Sequence, residues 1–271
     1  MAINLSDKLT ADHSENYIMS IRLRSGGLSF SAYSPSVSES FFYRDVEFDR
    51  TRPYISSLKE CFFENDFLTW FYKQVNVVCV TSQYTLVPAA VFQEKQKAEL
   101  LAFTFSSPEG RCLSNELKDE PAELVFGVDE FCSRSLVNPR FVHHVGPLLS
   151  LWKKQSRARL PRQLYVVLHR RRMDVACYAQ GNLLFVNSFE YEHTDDILYY
   201  ILYVWKQVGM DQQKDQLRLF GDVPLRNDIT HKLRNYLQYI DPLEIPSEAY
   251  LMGSEVLQAP LDLIALSLCE L

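Results

Sequence analysis

Two stretches of equal length read alike: residues 23–33 are LRSGGLSFSAY, and residues 168–178 are LHRRRMDVACY. In each stretch, apolar residues alternate with polar ones, lead into a short polar turn and resume after it. This pattern predicts a β-hairpin with one buried face. The chain therefore contains a degenerate repeat. Its copies differ most at the turns, which are Ser25-Gly26-Gly27 in the first and Arg170-Arg171-Arg172 in the second.

The segments that follow each hairpin repeat in the same order. The first copy places strands at 17–24, 28–33 and 41–48, a helix from Pro53 and a strand at 76–81. The second copy places strands at 164–169, 173–178 and 183–189, a helix capped by Thr194 and a strand at 217–220. The helix and the strand after it are both displaced by 141 residues between the copies. The sequence therefore predicts an α/β fold of duplicated β-β-β-α-β units, with right-handed crossovers between parallel strands.

The chain has enough apolar material for two lobes. It has 271 residues, 47% of them hydrophobic and 13% aromatic, whereas single cores stop growing at about 250–300 residues. We expect a flexible start over residues 1–16, a first lobe at 17–157 with an inserted subdomain, and a second lobe at 158–271. Helices are predicted at 88–103, 146–156, 225–237 and 260–269, and a further hairpin at 111–117 and 123–128.

Several patterns indicate a cytoplasmic protein with no membrane insertion. The first residues lack the basic region and apolar run of a signal peptide. The densest apolar run, at 197–205, is shorter than the ~20 residues of a membrane span. The six cysteines lie far apart without a CxxC pair, which is typical of buried, reduced thiols.

Charge is unevenly distributed along the chain. The formal net charge of −6 argues against a general nucleic-acid binder, yet residues 153–172 contain eight basic residues and no acid. The eight are Lys153, Lys154, Arg157, Arg159, Arg162, Arg170, Arg171 and Arg172. Such a block indicates either a patch for anions or nucleic acid, or a solvated helix end followed by a turn.

Duplicated units with polar hairpin tips resemble the actin-like ATPase superfamily, which has a ribonuclease H-like fold and includes sugar kinases, Hsp70-type chaperones and the pilus-assembly protein PilM. Three runs are similar to an uncharacterised Bacteroidetes family of unknown function placed in that superfamily. They are SIRLRSGGLSFSAY at 20–33, YTLVP at 84–88 and LLFVNSFEYEHTDDILYYILYVW at 183–205. The resemblance covers most of the chain and implies a two-lobed fold distantly similar to PilM.

The resemblance also implies where a nucleotide would bind. In the superfamily it sits between two lobes, with hairpin glycine N–H groups on its phosphates and carboxylates that orient magnesium. Ser25, Gly26 and Gly27 keep such a tip, but Arg22 or Arg24 stands where an acid is expected. The second tip has His169 and Arg170 in place of an Asp-Gly pair.

The run Leu219-Phe220-Gly221-Asp222 resembles a worn form of the superfamily's adenosine motif, which normally has two glycines. Because the acids that position metal and water are missing, we do not expect hydrolysis. No catalytic residue and no metal site is therefore assigned.

Three functions are compatible with these patterns. The first is a non-catalytic binding or scaffolding protein with a protein partner and no cofactor. The second is a nucleotide-binding protein or weak ATPase that binds ATP in the inter-lobe cleft, with candidate contacts Ser25, Gly26, Gly27, His169, Arg170, Arg171, Arg172 and Gly221. The third is an RNA- or ribosome-associated factor that uses residues 153–172.

Each candidate site also has a simpler structural interpretation. Ser25-Gly26-Gly27 is interpreted first as a tight turn that requires positive φ and needs no ligand. The three arginines are either ligand-binding residues or solvated tip residues. His143 and His144 are adjacent on a predicted strand, so they point to opposite faces and do not indicate a metal site. Asp195 and Asp196 follow the predicted cap Thr194, where they stabilise the helix dipole.

Overall fold

The computed structural model describes residues 9–107, 110–128, 138–157 and 161–270. Two compact units are present, one formed by Met1–Pro147 with Pro246–Leu271 and the other by Leu148–Ile245. We call them unit 1 and unit 2. Each contains one copy of the predicted repeat. Cys132, one of the six cysteines, and Arg159, in the basic segment 153–172, lie outside the described residues.

Unit 1 contains a five-stranded sheet with the order β3-β2-β1-β4-β8. Its elements are β1 (Ile18–Arg24), β2 (Gly27–Tyr33), β3 (Phe42–Glu47), α1 (Tyr54–Glu64), β4 (Gln74–Cys79) and β8 (Arg140–His143). Strands β1, β2 and β3 are antiparallel, whereas β4 is parallel to β1 and to β8. Helix α1 supplies the crossover from β3 to β4, as the sequence predicts.

A small subdomain follows β4 in unit 1. It consists of β5 (Tyr84–Pro88), α2 (Lys97–Thr104), β6 (Arg111–Glu116) and β7 (Ala122–Val128). The strands form an antiparallel sheet with the order β5-β7-β6, and Val87, Leu101 and Val125 form its buried core. The hairpin prediction is confirmed. The predicted helix at 88–103 is shorter, because Pro88 ends β5 and a 3-10 turn at Glu94–Gln96 precedes α2.

Unit 2 repeats the sheet of unit 1. Its elements are α3 (Val145–Ser156, which begins just before the unit), β9 (Gln163–Leu168), β10 (Arg172–Ala179), β11 (Asn182–Glu190), α4 (Thr194–Gln207), β12 (Gln216–Phe220), α5 (Val223–Leu233) and β13 (Tyr239–Pro242). The strand order β11-β10-β9-β12-β13 matches that of unit 1. The core joins one sheet face to α4 and α5 through residues such as Val175, Ile201 and Leu219.

The two hairpins have the same register. Leu23 pairs with Leu28 in the first, and Leu168 pairs with Met173 in the second. The strand after each crossover helix then runs parallel to the first strand of its hairpin. The predicted β-β-β-α-β duplication is confirmed.

The carboxyl-terminal segment packs in unit 1. It forms two 3-10 helices, Ser247–Met252 and Ser254–Gln258, and α6 (Leu261–Glu270). The backbone N–H of Tyr43, on edge strand β3, donates to Glu255 Oε2 at 3.0 Å. The N–H of Phe41, just before β3, donates to the carbonyl of Met252 at 3.0 Å. This segment therefore covers the outer edge of β3.

The structure of residues 11–16 and the position of the α4 cap differ from the sequence-based expectation. Residues 11–16, within the stretch predicted to be flexible, form a 3-10 helix in which the Ser14 hydroxyl bonds to Phe71 O at 2.7 Å. Helix α4 is capped by His193 rather than Thr194. The cap lies one residue earlier because the Asp196 carboxylate accepts the N–H groups of Glu192 and His193 at 3.0 and 2.9 Å.

Candidate functional site

The first hairpin tip is shaped by two glycines with different structural requirements. Gly26 has φ +86°, a left-handed conformation that favours glycine. A Cβ on Gly27 would lie 2.2 Å from the carbonyl oxygen of Val46, so β3 approaches β2 too closely for any side chain there. Ser25 is exposed beside them. The fold itself therefore requires both glycines.

Arg22 and Arg24, on β1, are both held by carboxylates within unit 1. The buried Arg22 donates from Nε to Asp262 Oδ2, on α6, at 2.7 Å. Arg24 donates to Asp45 Oδ2, on β3, at 2.8 Å and lies 3.9 Å from Glu47. Cations thus occupy the β1 positions at which the sequence resemblance implies an acid.

The second hairpin tip presents arginines of two kinds. Arg170 and Arg171 are exposed, whereas Arg172 is partly buried as the first residue of β10. The backbone N–H of His169 closes the turn by donating to the carbonyl of Arg172 at 2.8 Å. The tip therefore directs two cations outward and a third toward the sheet.

A buried carboxylate, Asp174 on β10, organises the residues below this tip. Its Oδ2 lies 2.6 Å from His169 Nε2, and its Oδ1 accepts the Ser188 hydroxyl at 2.6 Å. Arg172 Nε lies 3.4 Å from Oδ1. The hydroxyl of Tyr191 donates to the carbonyl of His169. We call Asp174, His169, Arg172, Ser188 and Tyr191 the β10 polar cluster.

The connectivity of this cluster determines what it can do. A nucleophilic serine needs a histidine base next to its hydroxyl, with the acid on the far side of the imidazole. Here the carboxylate lies between Ser188 and His169, so the serine hydroxyl donates to the acid instead. The cluster is therefore arranged to hold the hairpin and its arginine in place rather than to activate a nucleophile.

Arg172 has hydrogen-bonding capacity to spare. Within the described residues, its Nε makes only the 3.4 Å ion pair with Asp174, and its Nη2 is buried with no hydrogen-bond partner. A guanidinium presents its donors in a planar fork that matches the oxygens of phosphate or carboxylate. Arg172 is therefore the candidate anion-binding residue of unit 2.

Gly221 lies beside the base of the same hairpin. It follows β12 with φ +149°, and a Cβ there would lie 2.8 Å from the Leu168 Cβ. Of the sequence candidates, the structure thus brings together His169, Gly221 and the arginines of the tip, Arg170, Arg171 and Arg172, at one end of the sheet of unit 2. Ser25, Gly26 and Gly27 belong to unit 1.

Asp174 and Ser188 are site residues that the sequence analysis missed. The available signal was the alternation in residues 173–178, which places Asp174 on the strand face opposite Met173 and Val175. Ser188 is directly opposite Asp174 on β11. Recognising the pair requires the register between the two strands, which the sequence pattern alone does not supply.

The basic segment 153–172 is divided by β9. Arg162 precedes this strand and donates to the carbonyls of Val208 and Gly209 at 2.6 and 2.9 Å, at the end of α4. Arg157 packs against Gly181, in the turn after β10. The arginine tip lies at the other end of β9, about 20 Å away at 3.3 Å per residue. The described basic residues therefore do not form one continuous patch.

The two adjacent histidines are buried among protein acceptors. His143 Nε2 lies 3.2 Å from the carbonyl of Thr81, and His144 Nδ1 lies 3.2 Å from that of Cys79. Within the described ranges, no group of three or more His, Cys, Asp or Glu side chains is placed to hold a metal ion.

The remaining features of interest are the reactivity of the cysteine thiols and the capacity of the helices to span a membrane. Cys61, Cys112 and Cys177 are free thiols, and burial raises the pKa of Cys177 to about 12, so its thiol is not a ready nucleophile. Among the described helices, none has the length and hydropathy that a bilayer span requires.

Comparison with known proteins identifies the fold. A crystal structure from Bacteroides thetaiotaomicron VPI-5482, described as a protein with actin-like ATPase fold and unknown function, is 29% identical. It aligns with a TM-score of 0.81 over 96% of this chain and 99% of that chain. The family profile described as "Protein of unknown function (DUF3822)" matches residues 6–240. No curated protein matches the sequence significantly.

More distant structures share less of the geometry. The PilM-PilN type IV pilus biogenesis complex aligns at 10% identity and a TM-score of 0.47, over 92% of this chain and 93% of that chain. The AlfA filament from a B. subtilis plasmid aligns at 9% identity and a TM-score of 0.39, over 90% and 99%. Likeness at this level carries no functional argument. The predicted actin-like ATPase fold is confirmed by the Bacteroides structure.

Proposed function

The chain belongs to the DUF3822 family of proteins of unknown function, and on that premise we propose that it is a non-catalytic binding protein with a protein partner. The proposal rests on an actin-like ATPase fold in which the hairpin residues Arg22, Arg24 and Asp174 are paired with other side chains of the chain. A cytoplasmic location is part of it, since the free thiols Cys61, Cys112 and Cys177 suit a reducing compartment.

The observation that carries the proposal is the pair formed by Arg22 and Asp262. The side chains are 5% and 0% exposed, and their atoms lie 2.7 Å apart. The β1 position of Arg22 thus holds a cation instead of an acid, and its partner Asp262 is already engaged, so this buried pair offers no carboxylate for a metal ion. Phosphoryl transfer depends almost entirely on positioning and electrostatic stabilisation, so losing the acid removes the main source of catalysis.

The residues at both hairpins do not fit a magnesium nucleotide. In unit 1, Arg22 and Arg24 occupy the β1 positions that precede the tip, and both are paired with carboxylates. In unit 2, the buried acid of the hairpin, Asp174, accepts from Ser188 and has His169 and Arg172 against its two oxygens. A divalent cation at Asp174 would have to displace those donors. No hydrolytic step is therefore assigned to either hairpin.

Exposed aromatic side chains favour a protein as the partner. Phe63 on α1 is 88% exposed, and Phe103 on α2 is 94% exposed. Aromatic side chains are enriched in protein–protein interfaces relative to the rest of a surface. Scattered exposed apolar residues are ordinary in themselves. These two phenylalanines therefore support a protein as the class of partner, but they do not locate a binding site.

The catalytic part is tested by phosphate release from ATP with magnesium. We expect no release above a protein-free blank, with or without a chelator. Steady release that stops when magnesium is chelated and that Asp174→Asn abolishes would contradict the proposal. The same assay on Arg171→Gln controls for a general loss of positive charge at the tip.

The buried Nη2 of Arg172, which has no hydrogen-bond partner within the described residues, favours a second function, the binding of a phosphate-bearing ligand without hydrolysis. Inorganic phosphate and ADP, each titrated without magnesium and followed by thermal stability, test this function. We expect stabilisation that Arg172→Gln removes and that Arg52→Gln, on an exposed arginine of unit 1, leaves unchanged. Equal stabilisation of the wild type and Arg172→Gln would exclude the second hairpin as the site.

A further inference from the structure

Strand β11 is an edge of the sheet of unit 2 that lacks the usual protection. It runs over Asn182–Glu190, and in the described part of the chain it is paired only with β10. Residues 182–189 contain no charged residue and no proline. Natural edge strands are usually blunted by charges, prolines, bulges or covering segments. A bulge at Leu184 bends only the beginning of β11, so the remainder is a template for another strand.

The equivalent edge in unit 1 is protected in two ways. Strand β3 carries Arg44, Asp45 and Glu47, and the carboxyl-terminal segment covers its outer side through Met252 and Glu255. The two sheets have the same strand order, so β3 and β11 occupy corresponding positions. The chain thus covers edge strand β3 of unit 1 with its own carboxyl-terminal segment, whereas no described segment covers edge strand β11 of unit 2.

An aromatic surface adjoins the open edge. Phe185 and Phe189 on β11 stack at 6.5 Å, and Phe189 stacks on Tyr200 of α4 at 4.5 Å. Tyr199 contacts Tyr200 at 5.4 Å and stacks on Tyr203 at 6.0 Å. Tyr199 is 62% exposed and Tyr203 is 50% exposed. Rigid aromatic rings therefore continue from the edge strand to the outer face of α4.

We propose that β11 and the Tyr199–Tyr203 face of α4 bind a second copy of this chain. The two copies would be related by a two-fold axis normal to the sheet, which pairs β11 antiparallel with its counterpart. That axis keeps both α4 helices on the same side of the joined sheets, so the exposed tyrosines of one copy approach those of the other. A two-fold interface of this kind uses the same patch twice.

Charge distribution favours self-pairing. Like charges directly opposite each other destabilise a strand pair, and the uncharged run 182–189 avoids this in an antiparallel self-pair. Glu190 then faces the beginning of the partner strand, where Asn182 lies, rather than another glutamate. A two-stranded contact is only marginally stable by itself. The aromatic face of α4 supplies the additional apolar area that an interface of about 800 Å² per partner needs.

Sedimentation velocity and light scattering over a concentration series test the proposal. We expect a reversible monomer–dimer equilibrium, and the double variant Tyr199→Lys/Tyr203→Lys should raise its dissociation constant at least about tenfold, about 1.4 kcal/mol. Phe71→Lys/Tyr250→Lys is the matched control, because it charges two exposed aromatic side chains of unit 1 that lie outside the proposed interface. The control should leave the dissociation constant unchanged.

Amide hydrogen exchange supplies a second measurement that does not depend on the variants. In the wild type, exchange of the β11 amides should slow as protein concentration rises, while exchange of the β3 amides should not change. A monomer at every concentration would overturn the proposal. So would a dimer whose dissociation constant is the same in the tyrosine variant, or one without concentration-dependent protection of β11.

Discussion

Arg22 and Asp262 are 240 positions apart in the sequence, yet their side chains meet in the interior of unit 1 at 2.7 Å. Moving two charges out of water costs several kcal/mol per ion, and their attraction only offsets that cost when the geometry is good. The pair is therefore weak evidence for net stability. It is strong evidence that each residue depends on the other, because an unpaired charge would be left in the core.

Removing one partner of this pair should destabilise the protein strongly. We expect Arg22→Ala to lower the free energy of unfolding by about 3–5 kcal/mol, measured by urea denaturation. The double variant Arg22→Met/Asp262→Leu should recover most of that loss. Arg24→Ala removes the partly exposed pair with Asp45 and should cost about 1 kcal/mol or less. Equal losses of unfolding free energy for Arg22→Ala and Arg24→Ala would contradict the interpretation that Arg22 and Asp262 form a buried ion pair.

Gly27 allows a test of whether the first tip is kept for packing. We expect Gly27→Ala to reduce the free energy of unfolding by about 1–3 kcal/mol without any ligand, because its Cβ would overlap Val46 O and overpacking costs that much. Gly146→Ala is the control, since the nearest atom to its Cβ is 3.8 Å away. Its stability, measured by thermal unfolding, should be unchanged or slightly raised. If Gly27→Ala leaves the free energy of unfolding unchanged, packing does not require this glycine, and a ligand-binding role for the tip is favoured.

At the scale of single elements, helix α4 depends on an acid at its start. The pKa of Asp196 is held below its ordinary value of 3.8 because its carboxylate accepts the backbone N–H groups of His193 and Glu192. A lowered pKa in the folded state means that the ionised form stabilises the fold. That stabilisation is complete above the ordinary pKa, and it is lost as the pH falls through it toward the folded pKa.

Asp196→Asn should therefore lower thermal stability at neutral pH, and the difference from the wild type should vanish in strong acid. Asp195→Asn is the matched control, because Asp195 is 87% exposed and lies 3.7 Å from Lys232. Its effect should be smaller at every pH. A difference for Asp196→Asn that persists unchanged into strong acid would show that the carboxylate is not the capping group.

Local sequence patterns predicted the elements better than they predicted the contacts between them. The alternation around both turns is a local property, so the two hairpins, their crossover helices and the parallel strands are all confirmed. The α4 cap was misplaced by one residue because Thr194 and His193 both precede the apolar periodicity. The partners of Arg22 and Asp174 lie on other elements, and no spacing in a single segment identifies them.

At the scale of the whole chain, unit 2 is inserted between two parts of unit 1. Each unit has its own buried residues, with Leu263 on α6 at 0% exposure in unit 1 and Leu217 on β12 at 0% in unit 2. A defect in one core should therefore be felt first within its own unit.

Two matched core variants test this expectation. Leu263→Ala and Leu217→Ala should each cost about 2–5 kcal/mol, as buried leucines do. Under native conditions, Leu263→Ala should accelerate amide exchange in β1 and β2 more than in β9 and β10, and Leu217→Ala should do the reverse. Equal acceleration in both sheets for both variants would mean that the two cores unfold as one.

The insertion also determines the order in which the chain can mature during synthesis. Domains generally fold as units while the ribosome adds about 5–20 residues per second, and the amino-terminal part normally has precedence. Here that precedence is reversed, because β1 emerges early but Arg22 has no counter-charge until residue 262 has been translated. Unit 2 is continuous in sequence and can finish first. Until the carboxyl-terminal segment has been translated, the outer edge of β3 stays uncovered. We expect a chaperone to bind the nascent chain mainly during this interval.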